Sequence, residues 1–148
     1  MTTPKTTQQK KWKLAIKLLN EVVKVRIQPS PIHGVGVFAI RAIKEGEIME
    51  LDAIPHQFDV PFSMMKDIRK DAREIILGQF PAIAVGSHFL YPVTRMQAFL
   101  NHSDNPNYDG QADKTLRDVA KGEELTEDYR KIPGHDKVFP WLVPETVV

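Results

Sequence analysis

An arginine-led pattern occurs twice in this chain, and the repetition constrains the fold more than any other feature. Arg41-Ala42-Ile43-Lys44-Glu45-Gly46-Glu47-Ile48 is echoed by Arg117-Asp118-Val119-Ala120-Lys121-Gly122-Glu123-Glu124-Leu125. Each copy is an arginine, an apolar residue two later, a glycine five later, then glutamate and an aliphatic strand. Glycine before a β-prone run is a turn signal. The echo predicts two similar hairpins contributed from opposite ends of one domain, the alternative being a chance match over a stretch this short.

The rest of the chain divides around these hairpins. Residues 1–9 are polar and are expected to be disordered. Trp12, Ala15, Ile16, Leu19, Val22 and Val23 recur at spacings of three and four, which predicts an amphipathic helix over 10–24. Its lysines, Lys10, Lys13, Lys17 and Lys24, lie mostly off the apolar face and read as a solvated basic surface, or as a docking face for an acidic partner. Val35 to Ile40 is rich in β-branched and aromatic residues and reads as a strand. Lys44-Glu45-Gly46 is a turn with a return strand over 47–51, and 55–61 is a loop. Residues 63–77 have helical content, with Ser63 as cap and Gly78 as stop. Residues 88–93 form a short strand, and 101–113 are polar with several turn signals. Residues 115–119 and 124–129 are expected as strands flanking Lys121-Gly122. The end of the chain, 138–148, is apolar and carries two prolines.

Composition narrows the chemistry. The 148 residues suit one domain with a sizeable core. A formal net charge of +1 gives no global attraction to nucleic acid. With no cysteine, there is no disulfide, no cysteine–zinc site and no thiol nucleophile. The five histidines are scattered without metal-ligand spacing, so no metal is expected. Neither a signal peptide nor an apolar run of the ~20 residues needed to span a membrane is evident, so a cytoplasmic or nuclear location is expected.

Three segments carry candidate chemistry. In His33-Gly34-Val35-Gly36-Val37-Phe38-Ala39 the glycines either permit close approach of backbone to a ligand or form a turn before a strand. In Phe99-Leu100-Asn101-His102-Ser103-Asp104-Asn105-Pro106-Asn107, an apolar lead-in anchors short polar side chains that rigidify a loop. Asn101 offers both a donor and an acceptor, which suits an amino-acid-like ligand. The third segment is Gly122-Glu123-Glu124-Leu125-Thr126-Glu127-Asp128-Tyr129, ending in a tyrosine that alone would read as a packed aromatic.

Taken together and in order, these segments resemble the SET-domain family of protein lysine methyltransferases. The likeness runs from about Val25 to Tyr129, so 25–131 is assigned to the domain. Residues 61–78 correspond to the family's variable helical insert, and 132–148 to a C-terminal aromatic tail. The resemblance implies a mostly β fold with short helices: a β-clip of several small sheets with a threaded, knot-like C-terminal segment. It also implies S-adenosylmethionine as methyl donor, S-adenosylhomocysteine as product, and a protein lysine as acceptor. Tyr129 takes the catalytic role. His33, Gly34, Val35, Gly36, Asn101, His102, Tyr129 and Trp141 take the cofactor, and Tyr91, Leu100 and Phe139 line the substrate channel. Ala98, Asp104 and Glu127 depart from the family's usual residues, and its cysteine-rich zinc cluster is absent. The alternative is an inactive SET-like module that binds a peptide.

A protonated lysine has no lone pair with which to attack. Repulsion from a sulfonium ~4 Å away, about 4 kcal/mol at an effective dielectric of ~20, lowers its pKa by roughly three units, so no dedicated base is required. Residues 101–130 hold eight acidic and four basic side chains, a net of −4. That reads as a solvated acidic surface, or as a docking surface for a lysine in a basic segment, histone-like or ribosomal. Phe139 and Trp141 are expected to fold back over the site; otherwise the tail patches the core or contacts a second copy in a homodimer.

Overall fold

The computed structural model describes residues 4–52, 56–79, 88–91 and 95–142. Helix α1 (Pro4–Val22) leads into a hairpin of β1 (Val25–Pro29) and β2 (Val35–Ala39). Strand β3 (His56–Asp59), a 3-10 turn (Phe62–Asp67), α2 (Lys70–Gln79) and β4 (His88–Tyr91) form the central insert. A second 3-10 turn (Met96–Phe99) precedes β5 (Asn101–His102), β6 (Tyr108–Asp109), β7 (Lys114–Thr115) and β8 (Glu124–Glu127). The 3-10 turn Tyr129–Lys131 and α3 (His135–Val138) follow.

The strands make a sheet of order β1-β2-β8-β5 and two separate ribbons, β3-β4 and β6-β7. All described pairings are antiparallel except β5 with β8, which are parallel with Asn101 opposite Thr126 and His102 opposite Glu127. The result is a mixed fold of helices and small sheets rather than a mostly β one. Helix α1 alone has 19 residues, whereas the longest strands have five.

The two echoed segments meet face to face. Ile43 and Val119 exchange both backbone hydrogen bonds at 2.8 Å. Gly46 N–H donates to Thr115 O at 2.9 Å, and Gly122 N–H donates to Ala39 O at 2.8 Å. Thr115 N–H reaches Glu47 O at 3.1 Å as Ala39 N–H reaches Glu123 O at 2.9 Å. Each bond maps onto its counterpart by one constant shift along the chain, so the repeats are related by a local pseudo-two-fold. Both turn glycines need the left-handed region, with φ of 80° at Gly46 and 86° at Gly122. This pairing also explains two departures. Residues 47–51 form only an isolated bridge, Ile48 with Lys114, and residues 116–119 form only the bridge from Val119 to Ile43. The repeats cross at single points instead of running alongside each other as hairpin strands.

Other boundaries shift for local reasons. Helix α1 begins at Pro4, inside the stretch expected to be disordered, since proline is well tolerated in a first helical turn. Its apolar face is as read: Ile16, Leu19 and Val23 are buried, with Trp12, Ala15 and Val22 partly so. Arg41 satisfies carbonyls at the end of this helix, reaching Asn20 O at 2.7 Å and Val23 O at 2.6 Å. Residues 56–59 are a strand rather than a loop, paired with β4. The 63–77 region divides into a 3-10 turn and α2, with Pro61 rather than Ser63 at the first cap. Gly78 lies inside α2, not beyond it. Residues 92 and 93 of the expected 88–93 strand lie outside the described residues.

One core joins α1, α2 and the main sheet through Leu19, Val25, Val37, Ile43, Ile76 and Leu125. Among the described residues, no helix is long and apolar enough to cross a membrane.

Candidate active site

The site forms where β5 and β8 run parallel, because this register places the second and third motifs side by side. Asn107 supports the junction. Its amide donates to Glu124 O at 2.8 Å and accepts from Thr126 N at 2.8 Å, standing in for a neighbouring strand. Asn101 is buried, and its Nδ2 lies 3.1 Å from His33 O, 3.0 Å from Val35 O and 2.9 Å from Glu124 Oε2. Ser30 Oγ donates to the same carboxylate, 2.7 Å from Oε1 and 2.9 Å from Oε2.

The two glycines of the first motif serve different ends. Gly34 has φ of 48°, a left-handed conformation that turns the exposed 33–35 loop. Gly36 is buried, and a Cβ there would lie 2.3 Å from Glu124 Oε2. Its missing side chain makes room for that carboxylate. Sequence reasoning assigned no role to Glu124 or Ser30. Glu124 stands within the third motif and Ser30 opens the stretch that resembles the family's first motif, but no pattern in the sequence links the two.

Tyr129 begins its own 3-10 turn, capped by Asp128, whose side chain accepts from Arg130 N at 3.0 Å. The phenol donates to Leu100 O, the carbonyl just before Asn101. Burial raises the Tyr129 pKa above its ordinary value, and the charges of Glu127 and Glu124 push the same way, so the hydroxyl keeps its proton. His102 Nδ1 accepts from Tyr129 N at 3.1 Å, and Nε2 lies 3.0 Å from Asp104 Oδ1. A lone pair on Nδ1 and a hydrogen on Nε2 satisfy both contacts. Arg130 completes the frame, 2.9 Å from Asp128 Oδ1 and 3.3 Å from Asp104 Oδ1. Burial pushes the Asp128 carboxyl upward, but hydrogen bonds from Arg130 outweigh it and hold the group below its usual range.

The tail reaches the same place. The Phe139 ring stacks on Tyr129 at 4.6 Å with an interplanar angle of 28°. Trp141 stands edge-on to Tyr129 at 6.4 Å, and to Phe139 at 5.9 Å. His102 packs 5.4 Å away from Tyr129 on a tilted plane.

His33, Gly34, Val35, Gly36, Asn101, His102, Leu100, Tyr129, Phe139 and Trp141 are thus gathered around one junction. Of the expected site residues, only the Tyr91 side chain lies outside the described residues. Beside the junction, a pocket of about 410 Å³ is bounded by Gln97, Tyr108, Gly110, Glu127 and Ile132, among others. Among the described residues, no group of three or more His, Cys, Asp or Glu side chains could hold a metal ion.

The SET domain family model matches residues 34–130, about two thirds of the sequence, and this chain belongs to that family. Among curated proteins none matches it. Similar solved structures include a Plasmodium falciparum protein assigned as a histone methyltransferase. It is 19% identical, with a TM-score of 0.37, over 72% of this chain and 92% of that one. Another is a humanized mutant of the Chaetomium thermophilum Polycomb Repressive Complex 2 bound to an inhibitor. It is 19% identical, with a TM-score of 0.40, over 76% of this chain and 16% of that one.

Proposed function

We propose that this protein is an S-adenosylmethionine-dependent methyltransferase acting on the side-chain amine of a lysine in another protein. The observation that carries the reading is the Tyr129 hydroxyl held at the Leu100 carbonyl, at the parallel β5–β8 junction. That contact sets an oxygen dipole and a carbonyl oxygen side by side, an arrangement suited to orienting an amine and a methyl group with partial positive charge.

The residues present fit the cofactor. His33 O, Val35 O and the Glu124 carboxylate converge within 3.1 Å of one nitrogen, the Asn101 amide, which has only two hydrogens for three acceptors. An ammonium has three. The 33–35 loop with Asn101 would hold the amino-acid part, and His102 and Trp141 the adenine. When bound, S-adenosylmethionine supplies a methyl group on a positively charged sulfur. The chain's own work is alignment, which can be worth ~7–11 kcal/mol for well-oriented reactants. Leu100, Phe139 and Tyr91 line the lysine channel in this reading. We also assign the segment after β8 as threaded. Two bonds tie its ends to the 101–113 segment: Ser103 N–H donates to Glu127 O at 3.0 Å, and Gln111 Nε2 donates to Lys131 O at 2.7 Å.

The acceptor is a lysine in a basic segment, histone-like or ribosomal, drawn to the net −4 of residues 101–130. Calorimetric titration with S-adenosylmethionine, followed by labelled methyl transfer to host lysate read by mass spectrometry, tests the proposal. Binding with transfer to lysine is expected. Binding of peptide without cofactor would favour a non-enzymatic module instead.

A further inference from the structure

We infer that Glu127 is the group that receives the substrate ammonium and accepts its proton before methyl transfer. The inference rests on the methyltransferase reading above. Its basis is where β8 puts this side chain. Glu127 is the last residue of the strand, two before Tyr129, and it lines the 410 Å³ pocket. Gly110 leaves the space the carboxylate occupies: a Cβ there would lie 2.2 Å from Glu127 Oε2. Ala98, Leu116, Ile132 and Pro133 give the same pocket an apolar wall along which the outer methylenes of a lysine can lie, with Leu100 and Phe139 left to the inner part of the channel beside Tyr129. The same carboxylate is close enough to Tyr129 to act on the phenol electrostatically.

The charges facing Glu127 come from several elements. Asp109 and the Tyr108 phenol are on β6, His102 is opposite it in the strand register, and Glu124, Asp128 and Tyr129 flank it along the chain. Asp52, Arg95 and Lys131 stand around the pocket. Arg95 is paired with Asp52 at 3.4 Å, and Asp128 is held by Arg130. The Tyr108 phenol donates to Asp113 at 2.5 Å and not to Glu127. Burial, with Asp109 adding to it, raises the Glu127 carboxyl to about 7. The sulfonium lowers a lysine from its ordinary ~10.4 while burial raises the carboxyl, so the two groups are drawn toward each other and transfer between them is eased. In the step, one N–H bond of the ammonium breaks and an O–H bond forms on Glu127. The amine gains its lone pair, the carboxyl becomes neutral, and water later removes the proton through the pocket mouth.

Two variants separate the role from mere packing. Glu127→Gln keeps shape and removes the base; Gly110→Ala keeps the carboxyl and displaces it. Carboxyl-carbon NMR on the full chain should show a glutamate titrating near pH 7 that is missing in Glu127→Gln. Saturating n-butylammonium, a mimic of the lysine side chain, should lower that midpoint by half a unit or more. A midpoint in the ordinary carboxylate range, or one unmoved by the amine, overturns the inference. In methyl transfer at pH 7, Glu127→Gln should be about threefold or more slower than wild type, the gap closing by about pH 8.5 as the lowered amine loses its proton unaided. Gly110→Ala should fall between them. Equal rates at pH 7 overturn the proton-accepting role. Absence of transfer by the wild type defeats the methyltransferase reading and the proton step with it, while the NMR midpoints still decide whether Glu127 holds an ammonium.

Discussion

Replacing Asn101 with alanine should cost both fold stability and cofactor affinity. The side chain is buried and supplies two N–H hydrogens to His33 O, Val35 O and Glu124 Oε2. A neutral hydrogen bond contributes about 0.5–1.5 kcal/mol net, and one to a charged group about 1.5–3. Exposed carbonyls at 33 and 35 can recruit water, and Glu124 keeps its bonds from Ser30. The net loss is therefore set at about 1.5–3 kcal/mol. At about 2–4 °C per kcal/mol for a chain of this size, the cofactor-free melting temperature should fall by roughly 5–10 °C. The released 33–35 loop should weaken S-adenosylmethionine binding by about tenfold or more, equivalent to ~1.4 kcal/mol. Asn101→Asp should be worse, because it sets a second carboxylate against Glu124 and removes both donors. Differential scanning calorimetry without cofactor and titration calorimetry with it measure the two effects. A melting temperature within 1 °C of wild type, together with unchanged affinity, would refute the claim that Asn101 pins the loop.

Three further outcomes are expected. Tyr129→Phe should slow methyl transfer at least 100-fold while cofactor affinity stays within about twofold; losing the bond to Leu100 O should lower the melting temperature by only a few degrees. Gly36→Ala pushes a methyl into the Glu124 carboxylate, which is tied to Ser30 and Asn101, so it should lower thermal stability and cofactor affinity together, whereas Gly78→Ala, in open space, should do neither. The Glu127 carboxyl is raised from 4.5 to about 7 in the folded chain, so between these values the folded state binds the extra proton. This group's contribution to stability therefore falls as pH rises through that window, and Glu127→Gln should flatten the decline in melting temperature from pH 5 to pH 8.

What the sequence made legible follows from the range of each interaction. The echoed segments announced matching hairpins because glycine turns are local. It could not show that they cross each other, since Ile43 and Val119 are far apart in the chain. The buried face of α1 was readable from period alone, but its start at Pro4 was masked by a polar composition that a helix on the surface tolerates. The motif residues did converge, and Gly36 has a further role: its lack of a side chain accommodates Glu124, which no local pattern could reveal. Glu127 stood out in the sequence only as a departure from family habit. Its importance depends on Gly110 and the pocket, both brought to it by tertiary folding.

The tail provides the sharpest division between stability and function. Phe139 and Trp141 pack on Tyr129 and on each other, but Trp141 is 64% exposed, as is Val138. Among the described residues, nothing beyond Asp128 is buried. A tail that patched the core would contribute buried apolar side chains, worth about 1.5–3 kcal/mol each. This one instead lays a stacked ring over a half-buried catalytic candidate. Stacked aromatic pairs contribute only ~0.5–1.5 kcal/mol beyond burial, so the share of global stability carried by the described tail residues, up to 142, is small. Truncation after Asp136 should therefore lower the cofactor-free melting temperature by less than about 5 °C. The same truncation should cut cofactor affinity or turnover by tenfold or more, because Tyr129 loses the wall that excludes water from its hydroxyl. Phe139→Ala should reproduce most of the effect and Val138→Ala almost none of it. A large fall in melting temperature, with normal catalysis well below it, would show that the ring stack serves stability and that the site closes by other means.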